Sequence, residues 1–127
     1  MIDIATLNGP LAGAAALSAV TAAIHAFVGG PEIARPLLQA EMARVPKLTT
    51  YYCWHIVTIT LIAMTLGFAV AAAHPDAATG AITWTLIAAA FALWSVALFI
   101  WKRMPPFALP QWALFTPIAG LGLWGLL

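Results

Sequence analysis

Charge is what this sequence lacks most. Five Lys or Arg and four Asp or Glu are spread over 127 residues, 7% in all. Soluble domains carry about 25% charged residues. With 64% hydrophobic residues, the chain has more apolar surface than so short a soluble domain can bury. A bilayer is the solvent that fits. The formal charge is only +1, and no basic patch or aromatic-basic ladder is present to neutralise phosphates, which argues against a nucleic-acid partner.

Cysteine is nearly absent. Cys53 stands alone, so no internal disulfide can form. Met1 to Pro10 has no Lys or Arg, the usual start of a secretory signal, so the first apolar segment is expected to be retained. No lipidation motif is present. The chain also lacks a phosphate loop, a dinucleotide fingerprint, a Ser-His-Asp spacing, and metal motifs such as HExxH or CxxC. Asp3, Glu32, Glu41 and Asp76 are the only acids, which disfavours a carboxylate-rich catalytic centre.

What is present is a set of long apolar runs. A helical span needs about 20 such residues. The runs predict an all-α, integral-membrane, antiparallel four-helix bundle in one domain, with spans at about 10–28, 49–73, 80–101 and 109–127. Gly29-Gly30-Pro31 is expected to stop the first span, and His74-Pro75-Asp76 to turn after the second. All five basic residues fall in two connections: Arg35, Arg44 and Lys47 in one, Lys102 and Arg103 in the other. The positive-inside rule puts both connections in the cytoplasm and both termini in the periplasm of a bacterial inner membrane. The trailing connection 29–48 is expected to hold a short interfacial helix, entered at Pro31 and Glu32, possessing an internal Pro36, and ended by Pro46. Trp54, Trp84, Trp101 and Trp112, with Tyr51 and Tyr52, lie near span ends, where amphipathic rings settle.

Two histidines carry the functional signal. His25 lies near the end of the first span and His55 near the start of the second, at similar depth. Ionisable residues within spans are rare and usually have a reason. Ser18, Thr21 and His25 share one helical face, and Tyr51, His55, Thr58 and Thr65 share another. Facing stripes would form a polar seam, because a polar group turned to lipid costs several kcal/mol or so. The seam's ligand residues are expected among His25, His55, Glu32, Tyr51, Thr21 and Thr58. As metal ligands, His25 and His55 could hold haem or a transition metal, with Glu32, Glu41, Met42 and Cys53 nearby in sequence. Cys53 sits two residues before His55 and therefore points elsewhere. The plainer alternative is a histidine that bonds a neighbouring Thr or carbonyl and ties two helices together.

Small residues mark the last span: Gly120, Gly122 and Gly125, with Pro117. Gly13, Ala12 and Ala16 give span one a similar smooth face, and the two are expected to pack closely, with homodimerisation the alternative.

The order of features resembles the YgdD-like family of small four-span membrane proteins of unknown function. The resembling stretches are Ile24-His25-Ala26-Phe27, Tyr51-Tyr52-Cys53-Trp54-His55 and Phe115-Thr116-Pro117-Ile118-Ala119-Gly120. The Gly29-Gly30-Pro31-Glu32 stretch departs from that pattern. The resemblance implies a four-helix inner-membrane fold and supplies no activity.

Function is therefore expected to be that of a non-enzymatic accessory or binding protein whose His25/His55 seam holds a metal, haem or a small ligand. One alternative is a component of an oligomeric small-solute or ion transporter, since one chain is too small to enclose a pathway. Another is an intramembrane enzyme using the histidines as acid and base. The expected partners are the lipid bilayer and a homo-oligomer or larger membrane complex.

Overall fold

The computed structural model describes residues 7–127. Every regular element among them is helical: α1 (Gly9–Ala23), a π-wound segment (Ile24–Ala34), α2 (Arg35–Gln39), α3 (Arg44–Ala73), α4 (Ala78–Trp101) and α5 (Gln111–Leu126). Single 3-10 turns, Pro75–Ala77 and Pro106–Ala108, precede α4 and α5. Three helices are long and apolar enough to cross a membrane: Gly9–Gln39, Arg44–Ala73 and Pro75–Trp101. With 16 residues, α5 is about 24 Å long, less than the ~30 Å hydrocarbon layer.

α1 packs between α3 and α5, and α4 closes the ring against α5 and, less extensively, α3. The beginning of α1 meets the ends of α3 and α5, so it runs antiparallel to both. Asn8 makes this junction. Its side-chain oxygen accepts from Leu11 N–H (3.1 Å), and its amide donates to the Gly125 carbonyl (2.7 Å). Its backbone N–H donates to the Ala72 carbonyl (3.0 Å). One residue thus serves a helix N-terminus and two helix C-terminal turns, whose polar groups have no partner within their own helices.

Packing is tight at the Asn8 end. Ala14, Ala81 and Ala88 are fully buried, with Met64, Phe68 and Ile118 filling the space between them. Gly125 lies under Leu11, Gly122 against Thr85, and Gly67 beneath the Trp84 indole, where a β-carbon would collide. The expected close approach of the first and last helices is present: Gly13 meets Leu121 as Gly125 meets Leu11. The outward faces carry large apolar residues such as Ile59, Leu66, Leu86 and Leu93. A helix that is apolar all round belongs in lipid or a large core, and the core among the described residues is small.

The first helix does not stop at Gly29-Gly30-Pro31. It widens into π geometry from Ile24 and continues through Ala34 into α2. In an α-helix, Pro31 would lack its hydrogen bond and crowd the carbonyl four residues back. The wider winding shifts bonds to the fifth residue back, as in Arg35 N–H to the Gly30 carbonyl. The expected interfacial helix is reduced accordingly to the five residues of α2, and the connection to residues 40–43. Pro46 begins a helix rather than ending one: it sits in the first turn of α3, where its missing N–H costs nothing. Lys47 Nζ donates to the Leu38 carbonyl (3.2 Å) and ties the hairpin shut.

Candidate functional site

At the other end of the bundle the helices part. An inner cleft of about 440 Å³ opens between the π segment, α3 and the chain entering α5. Leu61 and Phe115 form its buried floor, and Ile24, Val57 and Leu114 its apolar walls. Four polar side chains reach it: Thr21, His25, Glu32 and Gln111.

His25 is placed by π winding on one side and by α3 on the other. Its ring stacks on Trp54, with centroids 3.9 Å apart and planes 18° from parallel. Nε2 lies 3.0 Å from Thr58 Oγ1 and 3.3 Å from the Trp54 carbonyl. Thr58 Oγ1 itself donates to that carbonyl (3.2 Å). The Trp54 carbonyl can only accept, so Nε2 is the donor in this geometry, and in the neutral ring that leaves Nδ1 as the acceptor. Gly29 makes the stack possible, since a β-carbon there would lie 2.7 Å from Trp54 Cη2.

The loop before α5 supplies the opposite wall. Buried Ser95 of α4 donates to the Leu109 carbonyl (3.1 Å) and accepts from Trp112 N–H (3.2 Å). Trp112 Nε1 donates to the Pro106 carbonyl (3.0 Å). Ser95 thus caps a helix from outside and fixes where Gln111 stands.

The expected stripes are only partly joined. Ser18 and Thr21 are buried but bond their own helix, at the Ala14 and Leu17 carbonyls (both 2.8 Å). His25 and Thr58 do meet. His55 is exposed and lines a different, outer cleft together with Tyr51 and Arg35, and its ring meets Tyr51 edge-on at 4.6 Å. Trp54 lines both clefts. Glu32 is not at a helix start but within the π segment, at the inner cleft. Cys53 is exposed and lines neither cleft.

This arrangement gives no support to a metal or haem centre. Among the described residues no three His, Cys, Asp or Glu side chains gather closely enough to hold a metal ion. Two histidines that open into different clefts do not present their nitrogens to one iron.

Trp54, expected only as a ring at a span end, and Gln111 are not among the site residues expected from sequence. Trp54 could have been found, because it falls between Tyr51 and Thr58 on the same helical face. Gln111 carried no such signal: a polar residue at a span end is ordinary. No family model, curated protein or solved structure matches this chain.

Proposed function

We propose that the chain is a four-span protein of the bacterial inner membrane, with both termini periplasmic, that binds a small amphiphilic molecule in the inner cleft. The orientation rests on all five basic residues lying at the cleft end. Four-span architecture requires α5 to cross with the other helices, which a local thinning of the bilayer allows. Membership of the YgdD-like family is part of the same proposal and adds no activity.

The observation that carries the binding reading is the inner cleft itself. Apolar walls with a few converging polar groups are how small-molecule sites are built, and its volume falls in their range of roughly 300–1,000 Å³. With Nδ1 of His25 an acceptor and Glu32 and Gln111 also able to accept, the head of the ligand is a hydrogen-bond donor such as a hydroxyl. Its body is an alkyl or similarly apolar group lying along Val57, Leu61 and Phe115.

Native mass spectrometry of the detergent-solubilised protein with decanol and with the methyl ether of decanol tests this. Wild type and His55→Leu should retain decanol and not the ether, and His25→Leu should retain less decanol than either. Equal retention of decanol by His25→Leu, or of the ether by wild type, overturns the reading. Stoichiometric iron, copper or zinc in wild type, lost in the His25→Ala/His55→Ala variant, would replace it with a metal site.

A further inference from the structure

The outer cleft has a different character. It measures about 380 Å³ and lies between the π segment with α2 on one side and the first turns of α3 on the other. Its floor is small and apolar, from Gly30 and Ala34 to Leu38. Its polar groups are Arg35, Tyr51, His55 and Thr58, and no acidic residue lines it. Glu32, three residues before Arg35, lines the inner cleft instead. Arg35 therefore stands at this cleft without a carboxylate beside it in the lining.

Position adds to this. Arg35, Arg44, Lys47, Lys102 and Arg103 all sit at this end of the bundle, against Glu32 and Glu41. Ala26 and Leu38 add to the apolar lining, and Phe27, next to Ala26 in sequence, is 81% exposed. A guanidinium, a phenol and an imidazole above an apolar floor match a phosphodiester carrying acyl chains.

We propose that the outer cleft seats the phosphate-bearing headgroup of an anionic phospholipid, with Arg35 as its principal contact and Tyr51 and His55 as hydrogen-bond donors. The chains would run down the groove between the π segment and α3. The site rests on the reading of this end as membrane-embedded, but not on what the inner cleft binds.

The test is reconstitution into vesicles of equimolar phosphatidylglycerol and phosphatidylcholine, extraction into mild detergent, and native mass spectrometry of the lipid retained. Wild type should keep phosphatidylglycerol over phosphatidylcholine, and Arg35→Gln should lower that preference about tenfold, the factor a direct hydrogen bond to a charged group contributes. His55→Gln with Tyr51→Phe should lower it further. Lys102→Gln removes the same charge outside the cleft and should leave the preference unchanged. Excess inorganic phosphate should not displace the lipid. Equal losses in Arg35→Gln and Lys102→Gln would mean general charge attraction and overturn the site. Displacement by inorganic phosphate would overturn the lipid assignment. A wild type that floats with the vesicles yet shows no anionic preference overturns the site alone; failure to float with them overturns the membrane reading as well.

Discussion

The imidazole of His25 lies face to face with the indole of Trp54, at a centroid distance of 3.9 Å, while its Nε2 reaches past the ring to Thr58. The first helix is joined to α3 by a stacked pair and a hydrogen bond at the same residue. His25→Phe keeps the stack and loses the bond. It should cost about 1 kcal/mol, because Thr58 keeps its own bond to the Trp54 carbonyl and is not orphaned. His25→Ala loses both and should cost about 0.5–1.5 kcal/mol more. Unfolding titrations in mixed micelles measure the difference; equal losses for the two variants would mean that the stack contributes nothing.

Gly29 and Gly30 are neighbours with opposite surroundings. A β-carbon at Gly29 meets the Trp54 ring, and one at Gly30 meets nothing within 4 Å. Gly29→Ala should destabilise by about 1–3 kcal/mol through overpacking. Gly30→Ala should be neutral or slightly stabilising, since alanine restricts the unfolded chain. The same unfolding titration separates them, and matching effects would contradict the placement of Trp54.

Asn8 holds three helix termini. Asn8→Ala removes a cap worth about 0.5–2 kcal/mol and frees the Gly125 carbonyl. Asn8→Asp keeps the acceptor for Leu11 N–H but cannot donate to Gly125 when ionised. Stability should fall in the order wild type, Asn8→Asp, Asn8→Ala. Hydrogen exchange at Leu11 should rise only in Asn8→Ala.

Arg103 ends α4 in the left-handed region, with φ of 53°. Met104 N–H bonds the Phe99 carbonyl and Arg103 N–H bonds the Ile100 carbonyl, the paired closure for which glycine is usual. Arg103→Gly should therefore stabilise the bundle by about 1 kcal/mol, the cost an L side chain bears in that conformation. Melting in detergent checks it, and a loss of stability would mean that the guanidinium makes a contribution larger than the strain.

The bundle was legible in the sequence because apolar runs and turn residues report directly on it. The ends of α3 at His74 and of α4 near Lys102 fall where the turn signals put them. The first helix was not legible beyond Val28. Gly-Gly-Pro reads as a stop only for α geometry, and nothing in a hydropathy pattern announces a π winding that removes the conflict at Pro31. The site was half legible. Helical spacing picked out His25, Thr58, Tyr51 and His55, and His25 does meet Thr58. His55 shares the outer cleft with Tyr51 and Thr58, as their spacing predicts, but the Trp54 ring that stands over Gly29 and lines both clefts is a three-dimensional fit with no signature in spacing. The loop that carries Gln111 is positioned by Ser95, seventeen residues away from the N–H it caps, a distance no local pattern reaches.

The most direct test of the account is nitrogen NMR of the three imidazoles during a decanol titration in phospholipid nanodiscs. His25, His55 and His74 give separate signals, assigned from single His→Gln variants. Saturable movement of the His25 Nδ1 resonance, with His55 and His74 unchanged and no response to the methyl ether, is the result predicted for a donor-bearing head bound in the inner cleft. Parallel, unsaturating drift of all three signals would mean partition into lipid rather than binding, and would contradict the proposed site.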